Sequence, residues 1–193
     1  LGMDKKIYMK YFAKDKADIA IAIRKPIKKV RMGINLLNFN DSMTKIEGKN
    51  PTRIEFLKDP EYRIYFSHND EELYESVKKY IKNHTSIYTL TMGLSENIAN
   101  FKFIGEFEGS NDFGNEEYIK VNSIIPLKNA KPGYIKFDYG HEYFTEILPL
   151  EMDENRKVTD YGDILFEKNG NSICGAFTET IFLEDLNERI IIL

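Results

Sequence analysis

Alternating apolar and polar residues dominate the first third of the chain and predict strands. Four runs show this alternation: 17–23, 30–37, 52–57 and 62–66. Successive side chains of a strand point to opposite faces, so such runs favour strands with a buried face. Turn-forming residues fill the interval between the second and third runs. Residues 28–60 are therefore predicted to form a long projecting hairpin with a flexible tip.

One stretch has helical periodicity instead. Its apolar positions recur at i, i+4, i+7 and i+8, as Leu73, Val77, Tyr80 and Ile81. Asn69 and Glu72 have the spacing of an N-cap with an acid that reaches back to it. Acidic residues follow in the first turn and lysines in the last, which complements the helix dipole. We therefore predict a helix that begins after Asn69 and ends near Lys82.

A short polar loop follows this helix and leads into further strands. Gly93 breaks a strand-like run, and glycine there permits either a turn with positive φ or the close approach of another backbone. Residues 100–106 alternate again and predict a strand, paired through a loop at 109–115 with a strand at 118–126. Loops held between regular elements often carry binding groups.

The remaining residues predict a run of short strands. They lie at 134–137, 143–148, 158–166, 172–177, 180–183 and 189–192. Early strands around one helix, followed by an all-β end, predict an α+β fold of ferredoxin-like (RRM-like) type with a projecting β-hairpin and a small C-terminal all-β part. The predicted division is 1–127 and 128–193. Residues 1–12 have the pattern of a helix end, so the first strand of such a fold is expected before residue 1.

Charge is unevenly distributed along the 193 residues. The net charge is −4, but residues 1–92 carry 18 Lys and Arg against 12 Asp and Glu, and residues 93–193 carry 9 against 19. The densest basic run is 24–31, with five cations in eight residues. Such a strand can grip a phosphate backbone along one edge, because affinity for phosphates comes largely from Lys and Arg. The alternative is a solvated surface without a partner.

Other classes of protein find little support. No apolar run approaches the ~20 residues that span a bilayer. Residues 1–6 show no signal core and Cys174 is the only cysteine, which together favour the cytoplasm. The three histidines, His68, His84 and His141, lack metal-ligand spacing, and no nucleotide-binding or Gly-x-Ser-x-Gly motif is present. No metal or other cofactor is expected.

RNA cleavage is the alternative chemistry. A general base and a cation can activate a 2′-hydroxyl and stabilise the charged transition state. The candidates are Tyr88, His84 and Lys82, which are close in sequence. Closeness in sequence does not establish that their side chains converge.

Several blocks together resemble the fifth family of CRISPR-associated proteins, most closely its type I-B, Haft-type branch. The blocks are 25–38 (KPIKKVRMGINLLN), 56–65 (FLKDPEYRIY) and 88–100 (YTLTMGLSENIAN), followed by 121–127 and 148–152. The resemblance implies a RAMP-type, ferredoxin-like RNA-binding subunit of the Cascade interference complex. Such a subunit binds the 5′ handle of the guide RNA (crRNA) and contacts other Cascade subunits, chiefly the backbone and large subunits.

The resemblance also implies where RNA is bound. The family's thumb-like hairpin matches residues 28–60, and its Gly loop matches 88–96. A basic strand pair positions phosphates, a glycine lets backbone amides approach, and a tyrosine offers a stacking plane. The expected RNA-binding residues are Lys28, Lys29, Arg31, Asn35, Arg53, Tyr88, Gly93 and Ser95.

Two departures from the family pattern modify these expectations. The resemblance implies that about forty residues of the family's usual start are absent from this sequence. In that case the sheet is expected to have an open edge, and a homodimer through that edge is a hypothesis. In the type I-C branch a Lys-His pair ahead of the Gly loop serves in cleavage of precursor guide RNA. Here that neighbourhood is Ser86-Ile87-Tyr88-Thr89. We therefore predict RNA binding without catalysis, with metal-independent endoribonuclease activity as the alternative function.

Overall fold

Short antiparallel strands make up most of the structure, a computed structural model that describes residues 2–3, 7–39, 41–113 and 118–193. The helices are α1 (Tyr8–Tyr11) and α2 (Glu71–Lys82). The strands are β1 (Ala17–Ile23), β2 (Lys29–Phe39), β3 (Ile46–Leu57), β4 (Tyr62–His68), β5 (Gly109–Phe113), β6 (Ile119–Val121), β7 (Ile125–Pro126), β8 (Ala130–Lys136), β9 (Tyr143–Met152), β10 (Val158–Glu167), β11 (Ile173–Phe177), β12 (Glu179–Leu183) and β13 (Glu188–Ile190). Single 3₁₀ turns lie at Leu127–Asn129 and Glu184–Leu186.

The ferredoxin-like α+β prediction is wrong. The described strands form five small sheets, ordered β1-β4, β2-β3, β7-β10-β9, β6-β11-β8 and β13-β12-β5. The physical reason lies in the helices, because a ferredoxin-like sheet needs two long helices to cover one face. Among the described residues only α2 is long, and the described part of residues 1–12 contains the single turn α1. The apolar faces of the strands are therefore buried mainly against other strands.

Strands β1 and β4 form the sheet that carries α2. They pair antiparallel from Ala17↔His68 to Ile23↔Tyr62. The helix begins as predicted but its N-cap is Asp70, whose Oδ1 accepts a hydrogen bond from the Leu73 backbone N–H at 3.0 Å. Asn69, the predicted cap, instead donates its side-chain amide to the Asp15 carbonyl at 2.9 Å. The predicted helix is thus confirmed, with its cap one residue later.

Strands β2 and β3 form the hairpin expected within residues 28–60. Their ladder runs from Lys29↔Leu57 to Phe39↔Ile46. Strands β2 and β3 contact each other far more extensively than either contacts any other described element. The hairpin therefore projects from the rest of the described chain.

The predicted hairpin between 100–106 and 118–126 is wrong. Part of its supposed loop is strand β5, which pairs with β12, and β6 pairs with β11. Gly114 and Asn115 of that loop lie outside the described residues. Residues 101–108 are extended and alternate between half-buried and exposed side chains, yet they form no ladder with a described strand.

The core consists of three apolar clusters. The largest lies under the C-terminal strands and includes Val121, Ile125 and Phe177. The other two join β1 to the C-terminal part: Ala20 packs with Leu183 and Ile190, and Ile23 with Ile124 and Ile164. Backbone hydrogen bonds to the free edge of β1 reinforce this junction, from Ile124 to Ile21 and from Leu193 to Ile19. The division of the chain at residue 127 stays a prediction.

A half-buried charged cluster connects β13 to the β1–β4 sheet. The Glu188 carboxylate accepts hydrogen bonds from Arg24 at 2.6 Å, from Arg63 at 3.1 Å and from the Tyr65 hydroxyl. Burial raises the pKa of Glu188, but the bonds from Arg24 and Tyr65 outweigh it and lower this pKa below its usual range. Burial and the neighbouring Glu188 raise the pKa of Tyr65 to about 12.

Candidate nucleic-acid interface

The register of the β2–β3 hairpin brings predicted RNA-binding residues onto one face. Arg31 pairs with Glu55, Gly33 with Arg53 and Asn35 with Pro51. Directly paired residues of antiparallel strands point to the same side, and every second residue shares that side. One face of the hairpin, which we call the basic face, therefore consists of Lys29, Arg31, Asn35, Lys49, Arg53 and Glu55 together with neutral neighbours.

Lys49 belongs to the basic face although the sequence did not single it out. It pairs with Leu37, two positions along β2 from Asn35. In the sequence it lies in a Gly- and Asn-containing stretch that is typical of a turn. Its place on the face depends on the length of the turn and on the register, and neither is visible in local composition.

Ion pairs neutralise the basic face only in part. Arg31 Nε lies 2.7 Å from Glu55 Oε1, and Lys29 Nζ lies 3.6 Å from Glu55 Oε2. The hydrogen bond from Arg31, followed by the nearby charge of Lys29, lowers the pKa of the Glu55 carboxyl. The face nevertheless carries four cations against this one paired anion, and the side chains of Lys29 and Arg31 are 66% and 78% exposed.

Lys28 stands at the base of the hairpin, just before β2 begins. Its carbonyl accepts a hydrogen bond from the Lys58 backbone N–H at 2.8 Å, which closes the strand pair. The residue is exposed and directly precedes Lys29. Lys28 precedes the ladder, so the register does not place it on the basic face, but it adds positive charge at the base of the hairpin.

The opposite face of the hairpin is apolar. Val30 pairs with Phe56, Met32 with Ile54, and Ile34 with Thr52. Met32 is 54% exposed, and Val30 and Leu36 are also exposed. Single exposed apolar residues are ordinary, whereas a row of them along one face marks a surface for a partner.

The remaining predicted site residues lie in the loop after α2. Tyr88 is 68% exposed, and Ser95 is exposed as well. Gly93 has a φ of +94° and nothing within 4 Å of the position of a Cβ, so it serves a turn and not a close approach. The turn is closed by backbone hydrogen bonds from Met92 to Asn97 and from Ala99 to Leu90, both 2.8 Å long.

No hydrogen bond, ion pair or ring contact among the described residues joins this loop to the basic face. The backbone hydrogen bonds of the loop among the described residues are internal or lead to the end of α2, and no ion pair or ring contact among these residues joins the loop to the hairpin. Residues 85–100 also contain no Lys or Arg. The cations of the predicted site therefore lie on the hairpin, and the loop contributes none.

The residues considered for RNA cleavage have other contacts. Lys82 Nζ lies 3.3 Å from Glu106 Oε2 and 4.8 Å from the centre of the Phe103 ring. His84 stacks on Phe101, with ring centres 4.4 Å apart. In the described part of the chain, Tyr88 forms no hydrogen bond or ring contact with either of them.

No described group of three or more His, Cys, Asp or Glu side chains is arranged to hold a metal ion. Within the described ranges, no helix has both the length and the apolar character needed to cross a bilayer. Comparison of the chain with family models, with curated proteins and with solved structures gave no match.

Proposed function

We propose that this protein is an RNA-binding subunit of a type I CRISPR interference complex, which binds the 5′ handle of the guide RNA and acts in the cytoplasm. The observation that carries the proposal is the basic face, on which Lys29, Arg31, Lys49 and Arg53 line one side of a projecting hairpin. The choice of guide RNA as the bound nucleic acid rests on the resemblance of blocks 25–38, 56–65 and 88–100 to the fifth CRISPR-associated family.

The two faces of the hairpin suit two different partners. Phosphates are positioned by Lys and Arg, and the side-chain amide of Asn35 adds a donor and an acceptor for a sugar or a base. The apolar face, with Met32 and Leu36 exposed, suits a neighbouring protein subunit. A hairpin between the guide RNA and the backbone subunit would use both faces at once.

The accessible surface of the chain also supports a place in an assembly. The chain exposes 13806 Å², whereas a compact monomeric protein of 22.5 kDa exposes about 9,500 Å². Exposed apolar side chains contribute to the excess along the hairpin and along β9 and β10, where Ile147 and Tyr161 are exposed. Burial of such side chains against other subunits would be favourable.

The proposed role is binding and not cleavage. The pairing of Lys82 with Glu106 and the stacking of His84 on Phe101 support a role of these side chains in local structure. A discrete cut in repeat RNA, incubated with the protein in the absence of metal, would instead establish the endoribonuclease alternative.

The first prediction concerns the triple variant Lys28→Glu, Lys29→Glu, Arg31→Glu. Removal of three cations from the hairpin should weaken binding of a repeat-derived RNA and lower the slope of log Kd against log salt by about 2, since each phosphate contact contributes ~0.7. Fluorescence anisotropy over a salt series measures both quantities.

The matched control reverses three exposed cations elsewhere, as Lys102→Glu, Arg156→Glu, Lys157→Glu. Both variants change the net charge equally, so only a local site separates them. Equal loss of affinity in the two variants, or unchanged affinity of the hairpin variant at low salt, would contradict the proposal.

A further inference from the structure

The sheet β6-β11-β8 presents a polar, aromatic outer face. Cys174 of the central strand pairs with Lys120 on one side and with Lys136 on the other, so these three side chains share one face. Their neighbours Ile119 and Ile135 pack against the buried core on the opposite face. The outer face is therefore directed away from the core, and both lysines on it are exposed.

Two tyrosines lie on this outer face beside the lysines. Tyr134 precedes Lys136 by two residues on β8, and its ring centre is 6.3 Å from that of Tyr118. The Lys136 ammonium lies 3.7 Å from the centre of the Tyr118 ring. Tyr118 and Tyr134 are 43% and 49% exposed. We call the set Tyr118, Lys120, Tyr134 and Lys136 the tyrosine platform.

No carboxylate of the described residues neutralises the charge of the tyrosine platform. Neither Lys120 nor Lys136 forms an ion pair with any carboxylate in the described ranges. The contact of Lys136 with Tyr118 is a cation–π contact, which is weak at an exposed site. A base can therefore replace the ammonium on the ring while the ammonium moves to a phosphate.

We propose that the tyrosine platform is a second nucleic-acid site, which binds single-stranded RNA by stacking bases on Tyr118 and Tyr134 and by contacting phosphates through Lys120 and Lys136. Aromatic rings beside cations, on an exposed sheet face, are the usual means of binding single strands without sequence preference. The choice of RNA rests on the proposed function, but the site is separate from the hairpin.

The test uses a fluorescein-labelled oligouridylate of twelve nucleotides and the full chain. The variant Tyr118→Ala, Tyr134→Ala should bind it at least about tenfold more weakly, since each stacked base contributes severalfold to affinity. The variant Tyr118→Phe, Tyr134→Phe keeps the rings and should bind nearly as well as the unaltered protein. Tyr161→Ala, which removes an exposed tyrosine of β10, is the matched control and should have no effect.

Ultraviolet cross-linking of the unaltered protein gives a second measurement that does not depend on the folding of a variant. Cross-linked peptides should contain Tyr118 or Tyr134. Unchanged affinity of a folded Tyr118→Ala, Tyr134→Ala variant, or cross-links confined to the hairpin, would overturn the inference.

The hairpin variant Lys28→Glu, Lys29→Glu, Arg31→Glu separates this inference from the proposed function. If the tyrosine platform binds RNA, this variant should retain its cross-links at Tyr118 or Tyr134. Loss of handle binding in the hairpin variant with no cross-link at the tyrosine platform would support the proposed function and overturn the second site. The reverse result would support the second site alone.

Discussion

Glu55 is the only acidic residue among the paired positions of the basic face. It forms ion pairs with both Arg31 and Lys29. An anion in this place competes with RNA phosphates for the same cations. If a phosphate replaced the Glu55 carboxylate as the partner of Arg31 and Lys29, the two negative charges would lie side by side. Their repulsion would be unfavourable. If the hairpin binds RNA as proposed, Glu55 limits its affinity for RNA.

The variant Glu55→Gln should bind RNA more tightly. We expect a gain of about twofold to fivefold at low salt, the range that an exposed ion pair supports, and a smaller gain at high salt, where charges are screened. Titration of handle RNA by fluorescence anisotropy measures it. Glu75→Gln, which removes an exposed carboxylate paired with Lys78 on α2, is the matched control. Weaker binding of Glu55→Gln would mean that Glu55 positions Arg31 for RNA.

Individual residues also mark how far local sequence rules reach. The rules predicted a polar cap before α2, but they chose Asn69 because Glu72 follows it at the spacing of a capping box. The structure uses Asp70, since the Asn69 side chain is bonded to Asp15, 54 residues earlier. The competing partner is distant in sequence, so no local pattern indicates it.

At the scale of elements, hydrophobic periodicity predicted which helices and strands form but not which strands pair with each other. The helix α2 and strand β1 have the predicted type because their apolar spacing is long and regular. Strand β5 was predicted as a loop from its Gly, Ser and Asn content, and it pairs with β12 at a separation of about seventy residues. Pairing between strands so distant in sequence depends on the burial of the whole sheet. The sequence of one strand does not indicate its partner.

The candidate site was predictable to the same extent. The basic run at 28–31 and the hairpin that carries it follow from composition and alternation. Arg53 and Lys49 reach the same face only through the register of β3 against β2. The expectation that the Gly93 loop joins them came from the resemblance, and no described contact supports it.

Residues 101–108 are extended and pair with no strand in the described ranges. Extended segments with free backbone groups bind other strands readily. Ile104 is 52% exposed on this segment, and its neighbours Phe103 and Gly105 are half-buried. This segment is a different place from the edge expected at the absent first strand, and we hypothesise a homodimer through it, since two copies could satisfy each other's backbone groups.

Light scattering at high protein concentration tests this hypothesis. We expect the mass of a dimer for the unaltered chain and that of a monomer for Ile104→Pro, because proline removes a backbone N–H from the edge. The thermal unfolding of the variant verifies its fold. A monomeric mass of the unaltered chain at high concentration would remove the hypothesis.

For the molecule as a whole, the Glu188 cluster predicts how stability depends on pH. The pKa of Glu188 is lowered by folding, so its contribution is present above the ordinary carboxyl pKa of 4.5 and is lost as the pH falls through the lower folded value. The pKa of Tyr65 is raised from 10.0 to about 12, so its contribution is lost as the pH rises between these values. Urea unfolding from pH 3 to pH 12 should therefore show loss of stability at both ends.

The variant Glu188→Gln tests the origin of this dependence. At pH 7 it should lower the free energy of unfolding by about 2 kcal/mol, because charge-assisted hydrogen bonds to a half-buried carboxylate are lost. Its stability should also fall less steeply below pH 4.5 than that of the unaltered protein. Identical acid profiles for the two proteins would assign the acid sensitivity to other carboxylates.

The two-sided hairpin also limits how the chain can change during evolution. Insertion of one residue within β2 would turn every later side chain of that strand to the opposite side. With the proposed partners, cations would then face the protein subunit and apolar groups would face RNA. Two inserted residues would preserve the arrangement. Relatives of this protein should therefore differ in length within the ladder by even numbers, and should vary freely only beyond the bulge at Asn38 and Phe39, near the tip.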